Sequence, residues 1–217
     1  MSDKDLVQVA LFPIPNMVAF PGTIVPLHVF EPRYRQLIRD CVEVKRMVGV
    51  CHTVKAIHQP SKAQSLEQAL NSNQTTYTPQ EIFSAGDCEI IETTPDGRIV
   101  ASIAMRERLM LVDEVQSLPY RIVACESVPD DQEARDSEAE HALQASINGR
   151  LIELIGTRDA ELVREFQDSE WQALDPAAFS FRVFQYLKFD ADVMQEILEM
   201  RSAHARLDLI WSILQRA

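Results

Sequence analysis

Pro21-Gly22 lies between two apolar runs, one beginning at Leu11 and one from Ile24 to Phe30, and no other feature constrains the first part of the chain as tightly. A proline–glycine pair between apolar runs reads as a turn. Pro26 falls inside the second run. Proline has no N–H to give a sheet, so that run is confined to an edge strand or a bulge. Glu31-Pro32 follows as a helix entry, since proline at the first helical position forfeits no intrahelical bond. Strand, turn, edge strand and helix start are thereby packed into about 25 residues.

Spacings of three and four place Tyr34, Leu37, Ile38, Cys41 and Val42 on one face of a helix from Pro32 to about Val44. Met47 to Cys51 reads as a short buried strand. Lys55 to Gln80 turns polar and is expected to be a surface loop or insertion, with at most a short helix near Ser65 to Leu70. Cys88 to Glu92 is strand-like, and Thr94-Pro95-Asp96-Gly97-Arg98 has the residues of a turn. Arg98 to Met105 alternates, with Ile99, Ala101, Ile103 and Met105 on one face; Leu109 to Val115 and Tyr120 to Glu126 have strand length. Short strands at this spacing predict a small barrel or curled sheet.

Glu126 to Glu140 holds seven acidic residues and one basic residue, and reads as a solvated linker rather than an acidic metal site. It ends in Ser137-Glu138-Ala139-Glu140, a capping-box pattern for a helix start. Helical stripes then follow one another. Leu143, Ile147, Leu151, Leu154 and Ile155 precede Gly156 as a C-cap. Thr157 is a candidate cap for a stripe of Leu162, Val163 and Phe166. Asp175-Pro176 caps one with Phe179, Val183, Tyr186 and Leu187. Val193, Ile197 and Leu198 form a further stripe, and Leu207, Ile210, Trp211 and Leu214 the last, with Trp171 and Trp211 expected in the bundle core. The fold class is α+β: a β-rich part at 1–128 with one helix, an acidic linker at 129–137, and a helical bundle at 138–217.

The chemistry-bearing patterns are sparse. Of six glycines, none precedes a Gly-Lys-Ser/Thr triplet, so a phosphate-binding loop is absent. GxSxG and HExxH are absent too. Cys51-His52 is the nearest thing to a nucleophile and base, but neighbours on a strand point to opposite faces. Cys51, His52 and His58 match no standard zinc spacing. His28 is expected as a core or edge histidine. No catalytic residue, metal or cofactor is expected. The four cysteines are widely spaced and read as free, mostly buried thiols of a reduced cytoplasmic protein. Lys4 sits between Asp3 and Asp5, and Pro13 and Pro15 break the first apolar run, which is unlike a secretory signal. A net charge of −12, from 33 acidic and 21 basic residues, disfavours nucleic acid and anionic membrane as partners.

Leu11-Phe12-Pro13, Phe20-Pro21-Gly22, Pro26-Leu27 and Phe30-Glu31-Pro32-Arg33-Tyr34 resemble the opening of the Lon protease N-terminal domain, the substrate-recognition region of ATP-dependent Lon proteases (protease La). Gln195-Glu196-Ile197-Leu198-Glu199 and Arg206-Leu207 continue the likeness in the helical half. It implies a PUA-like β-rich pseudo-barrel followed by a helical bundle. The family's Val-Gly-Thr-type strand start and later Val-Glu-Gly-x-x-Arg stretch stand here as Ser84-Ala85-Gly86-Asp87-Cys88 and Ala104-Met105-Arg106-Glu107-Arg108. Gly86 and Arg108 persist, and the second glycine is lost.

The resemblance implies a non-catalytic module for protein or peptide recognition. Full-length Lon proteases carry ATPase and Ser–Lys protease domains downstream, and neither is expected here, so the chain reads as a stand-alone Lon-domain protein. Its partners would be unfolded or flagged polypeptides, or a separate protease served as adaptor in protein quality control and proteolysis. Met17, Val18 and Phe20, with Pro21, are the residues expected to meet a polypeptide around the first turn, burial in the core being the competing reading. The alternative function is a small-molecule binder or enzyme using a cleft between barrel and bundle.

Overall fold

The computed structural model describes residues 6–56, 77–131 and 137–216. The chain forms two compact units: 1–128 with 188–198, and 129–187 with 199–217.

The first unit is built on β1 (Val7–Pro13), β2 (Ile24–Val29), α1 (Pro32–Val44), β3 (Val48–Cys51), β4 (Thr53–Ala56), β5 (Tyr77–Pro79), β6 (Ile82–Thr93), β7 (Ile99–Gln116) and β8 (Ile122–Ser127). Six strands form one sheet in the order β2-β7-β6-β3-β1-β8, and a further β7–β8 pairing closes it on itself. Parallel pairing occurs between β1 and β3; the other ladders are antiparallel. β4 and β5 form a separate ladder that flanks the polar segment. The ends of that segment are therefore strands rather than loop, while the helix expected near 65–70 lies outside the described residues.

Closure depends on the length of β7. Its first half pairs with β2 and its second half with β8, while β6 runs along it on the other side. Two shorter strands, Arg98–Met105 and Leu109–Val115, are expected from the alternation; the structure makes them one strand of 18 residues. A register shift absorbs the break in pattern: Ala85 faces Glu107 and Gly86 faces Met105, so Arg106 has no opposite residue on β6. Gly86 lies so close to β7 that a Cβ there would sit 2.0 Å from the Ala104 carbonyl oxygen. Met105 and the alternating Ile99, Ala101 and Ile103 fill the barrel with Val25, Leu27 and Val29 of β2. Ile24, Pro26 and His28 point outward, and β2 pairs with β7 alone among the described residues, the edge position that Pro26 requires.

Helix α1 lays Tyr34, Leu37, Ile38 and Cys41 on this core. Val42, expected on the same face, falls at its margin and is exposed. A later helix, α6 (Ala191–Glu199), also belongs mainly to this unit, although its pattern alone reads as part of the bundle. Gln195 Nε2 donates to the Ile82 carbonyl at 2.9 Å and Arg108 Nη1 to the Leu198 carbonyl at 2.8 Å.

The second unit contains α2 (Ser137–Ile155), α3 (Ala160–Gln167), α4 (Ser169–Gln172), α5 (Pro176–Arg182), a 3-10 turn at Val183–Gln185 and α7 (Ala203–Leu214). Gly156 ends α2 with φ of 55°, the left-handed conformation of a glycine C-cap. Asp159, not Thr157, caps α3, accepting from the N–H groups of Glu161 and Leu162. A carboxylate next to the first turn also complements the helix dipole. Asp175 caps α5 as expected, with Pro176 at its first position. Trp171 is core, its Nε1 donating to Asn148 Oδ1 at 2.9 Å, while Trp211 is half-buried. Asp130 of the acidic stretch forms a bidentate pair with Arg206 at 2.8 and 2.6 Å. That part of the linker is anchored rather than solvated.

Candidate functional site

An apolar groove of about 290 Å³ opens in the first unit where the end of β1, the end of β2 and the start of α1 converge. Phe12, Pro13, Ile14 and Pro15 form one wall, Leu27 to Phe30 another, and Glu31, Arg33 and Tyr34 the third. Local sequence explains the opening. Pro13 and Pro15 end β1, and Pro32 turns the chain from β2 directly into α1. The edge position of β2 leaves the outer side of this corner uncovered by any described strand.

Aromatic stacking stiffens the groove. The rings of Phe12 and Tyr34 stack at 4.3 Å between centroids and 18° between planes. The Arg33 guanidinium lies over the Tyr34 ring at 4.4 Å, and its Nε and Nη2 each lie 3.1 Å from one Glu31 oxygen. Phe30 projects at the mouth with 64% of its surface exposed, a large aromatic left in water beside an apolar hollow. A stack, a guanidinium and an exposed phenyl ring suit binding of apolar side chains, with orientation supplied by a few polar groups.

The residues expected around the first turn are placed differently. Phe20 is 1% exposed and belongs to the core; Met17, Val18 and Pro21 are half-buried, and Met17 packs on the barrel cluster. Phe20 stays inside because its carbonyl accepts from both Thr23 N–H and Thr23 Oγ1, closing the Pro21-Gly22 turn over it. None of the four lines the groove. Phe30 and Tyr34, which do, lie in the same motif, where turn chemistry gives no hint of them. The signal that points to the groove is Phe30 itself, in phase with the outward Ile24, Pro26 and His28 of β2.

Cys51 and His52 do not form a reacting pair. Burial pushes the Cys51 thiol up to about 12, and His52 Nδ1 accepts the Asn16 N–H at 3.0 Å. His58 lies outside the described residues. His28 is exposed on the outer face of β2 and lines the groove. Among the described residues, no group of three His, Cys, Asp or Glu side chains is placed to hold a metal ion, and no helix is long and apolar enough to cross a membrane.

Comparison with known proteins bears on this architecture. Residues 8–216 match the family described as ATP-dependent protease La (LON) substrate-binding domain. The chain is 23% identical over 212 residues to Lon protease 1 of Herpetosiphon aurantiacus, covering 96% of this chain and 24% of that protein. It is 24% identical over 204 residues to the Lon protease of Koribacter versatilis, covering 92% of this chain and 23% of that protein. The chain thus spans about a quarter of the length of the curated relatives it matches. The N-terminal domain of a Mycobacterium avium complex Lon protease shares the fold with a TM-score of 0.68 at 15% identity, over 96% of this chain and 98% of that one. A Lon N-terminal domain protein from Xanthomonas campestris does so with a TM-score of 0.60 at 20% identity, over 95% and 98%. With a match running nearly end to end and the same β-rich and helical make-up, the chain belongs to the Lon protease substrate-binding domain family.

Proposed function

We propose that the chain is a non-catalytic polypeptide-recognition module, acting as an adaptor in protein quality control in the cytoplasm, and that the groove at Phe12, Phe30 and Tyr34 is where it grips. The observation that carries this reading is the exposed Phe30 ring beside an apolar hollow, next to a strand that pairs on one side only among the described residues. Large apolar groups left in water next to a concavity mark interaction sites. An extended chain lying along β2 has main-chain hydrogen bonding within reach and a pocket for its side chains, the strand-addition mode of peptide recognition. Family membership supports polypeptide as the ligand class. The cytoplasmic assignment is supported by four free cysteines, three of them buried. Met17 and Val18, half-buried on the loop that follows β1, are proposed as secondary contacts.

The test is binding of a permanently unfolded, thiol-blocked protein measured by fluorescence anisotropy. Phe30→Glu places a charge in the groove mouth and costs the fold little at an exposed position. It is expected to weaken binding at least tenfold, whereas Val44→Glu, at an exposed site at the far end of α1, leaves binding unchanged. Equal binding by the wild type and Phe30→Glu removes the groove from the interaction. Hydrolysis of ATP or of a peptide bond by the purified chain overturns the non-catalytic reading.

A further inference from the structure

We propose that the groove receives the C-terminal end of a polypeptide, with Arg33 taking the terminal carboxylate and the apolar walls taking the last side chain. This rests on the polypeptide-recognition reading and names the kind of segment recognised.

Arg33 is 6% exposed, yet its guanidinium is only partly used. Nε and Nη2 both lean on the same Glu31 oxygen, and the Tyr34 ring covers one face. Nη1 has no hydrogen-bond partner among the described residues, and it is not one of the fully enclosed orphan atoms. Arg33 lines the groove, and this nitrogen is the donor assigned to an incoming carboxylate. A guanidinium offers five N–H donors in a planar fork that matches a carboxylate. Here the fork lies over the Tyr34 ring and has donors to spare.

Glu31 does not close the site. Its side chain is 41% exposed and meets Arg33 through a single oxygen, so an incoming carboxylate competes for the guanidinium with one half-exposed carboxylate. Arg33 is the sole fixed cation among the described lining residues, and His28 adds a ring at the rim.

The size of the hollow selects a chain end. About 290 Å³ is at the lower limit of the roughly 300–1,000 Å³ of ligand pockets and takes one or two residues. A C-terminal residue brings an apolar side chain and a full negative charge together in that volume. An internal residue brings the charge only as Asp or Glu and must leave the groove in both directions.

The experiment uses a short dye-labelled peptide ending in Leu-Phe, as the free acid and as the C-terminal amide, with anisotropy as the readout. The free acid is expected to bind the wild type at least tenfold more tightly than the amide. Glu31→Gln, which releases Arg33 from its carboxylate, should tighten the acid several-fold and the amide by less, widening the ratio between them. Arg33→Gln should bring the acid down to the amide's affinity, and retained amide binding shows that the groove has kept its form. Equal affinity of acid and amide for the wild type, with Phe30→Glu weakening both, overturns the carboxylate contact and keeps the groove. If Phe30→Glu changes neither, the polypeptide reading of the groove falls with it. Displacement of the peptide by hexanoate at concentrations comparable to the peptide's own affinity would make a small carboxylic acid the occupant and also overturn the proposal.

Discussion

Arg108 Nη1 donates to the main-chain carbonyl of Leu198 at 2.8 Å, joining the middle of the barrel's longest strand to the last turn of α6 across 90 residues of sequence. A cation at this helix end satisfies an orphan carbonyl and complements the helix dipole. The first unit therefore includes a helix that arrives in sequence only after most of the second unit, and a strand arginine helps to hold it.

Removing that guanidinium leaves the Leu198 carbonyl buried without its donor, a loss on the order of 1–3 kcal/mol. Arg108→Met is expected to lower unfolding stability by about that amount in a urea titration read by far-ultraviolet circular dichroism. Arg108→Lys recovers only part of it, because an ammonium is a point charge without the planar fork. An Arg108→Met variant as stable as the wild type would show that the bond from Arg108 to the Leu198 carbonyl does not help to hold α6.

Arg206 and Asp130 make the corresponding anchor in the second unit. Arg206 is fully buried; beyond its two bonds to Asp130 it donates to Ser180 Oγ at 2.8 Å and the Met200 carbonyl at 2.9 Å, and lies 4.0 Å over the Phe181 ring. Breaking one side of a buried pair strands the other charge, at about 3–5 kcal/mol. Asp130→Ala should cost that much in chemical denaturation. Asp130→Ala with Arg206→Met should cost clearly less than the sum of the single changes, because the second substitution removes the stranded charge. Additivity in that cycle would show that the pair does not act as a unit.

These two arginines mark what was legible in the chain and what was not. Periodicity reads the core well where one face is buried: Ile99, Ala101, Ile103 and Met105 all point inward as their alternation demands. Pro26 reads as an edge residue for a reason internal to proline, and it is one. Arg108 and Arg206 stand among the residues that carry the family resemblance, yet their partners, Leu198 and Asp130, are 90 and 76 residues away, beyond the reach of any local pattern. The groove is missed for a related reason. Turn chemistry makes Met17 to Pro21 conspicuous, but a turn closed by the two bonds from Thr23 to Phe20 hides its aromatic residue. The exposed ring is Phe30, visible only once β2 is known to pair with β7 alone among the described strands.

Gly86 and Gly149 should respond in opposite directions to the same substitution. A Cβ at Gly86 meets the Ala104 carbonyl oxygen at 2.0 Å and its carbon at 2.6 Å, both backbone atoms that cannot step aside without parting β6 from β7. Gly86→Ala is expected to cost several kcal/mol, about 3 or more, or to prevent recovery of folded protein. Gly149 lies within α2, and a methyl group there would meet nothing within 4 Å, so Gly149→Ala should stabilise by about 0.5–1 kcal/mol through helix propensity. Thermal unfolding of the two variants checks both, and a neutral Gly86→Ala would mean that the bulge at this register shift slides to accommodate a side chain.

Alkaline pH should loosen the barrel through its buried thiols. Burial pushes Cys51, Cys41 and Cys125 up from 9.0 to about 12, with no disulfide among them. Well below pH 9, at neutral pH and under, the thiols are protonated whether the chain is folded or not, and they contribute no pH dependence. Between about pH 9 and 12 the unfolded chain releases these protons while the folded chain retains them, so stability falls as pH rises. Fully buried Cys51 alone accounts for a slope of up to about 1.4 kcal/mol per pH unit in that window. Cys51→Ala should flatten the alkaline limb of a stability–pH curve without moving its neutral plateau in pH. The same burial predicts the order of alkylation at pH 8, with half-buried Cys88 modified ahead of the other three, which react only as the barrel opens. Rapid labelling of Cys51 in folded protein, measured by mass spectrometry, would contradict its enclosure.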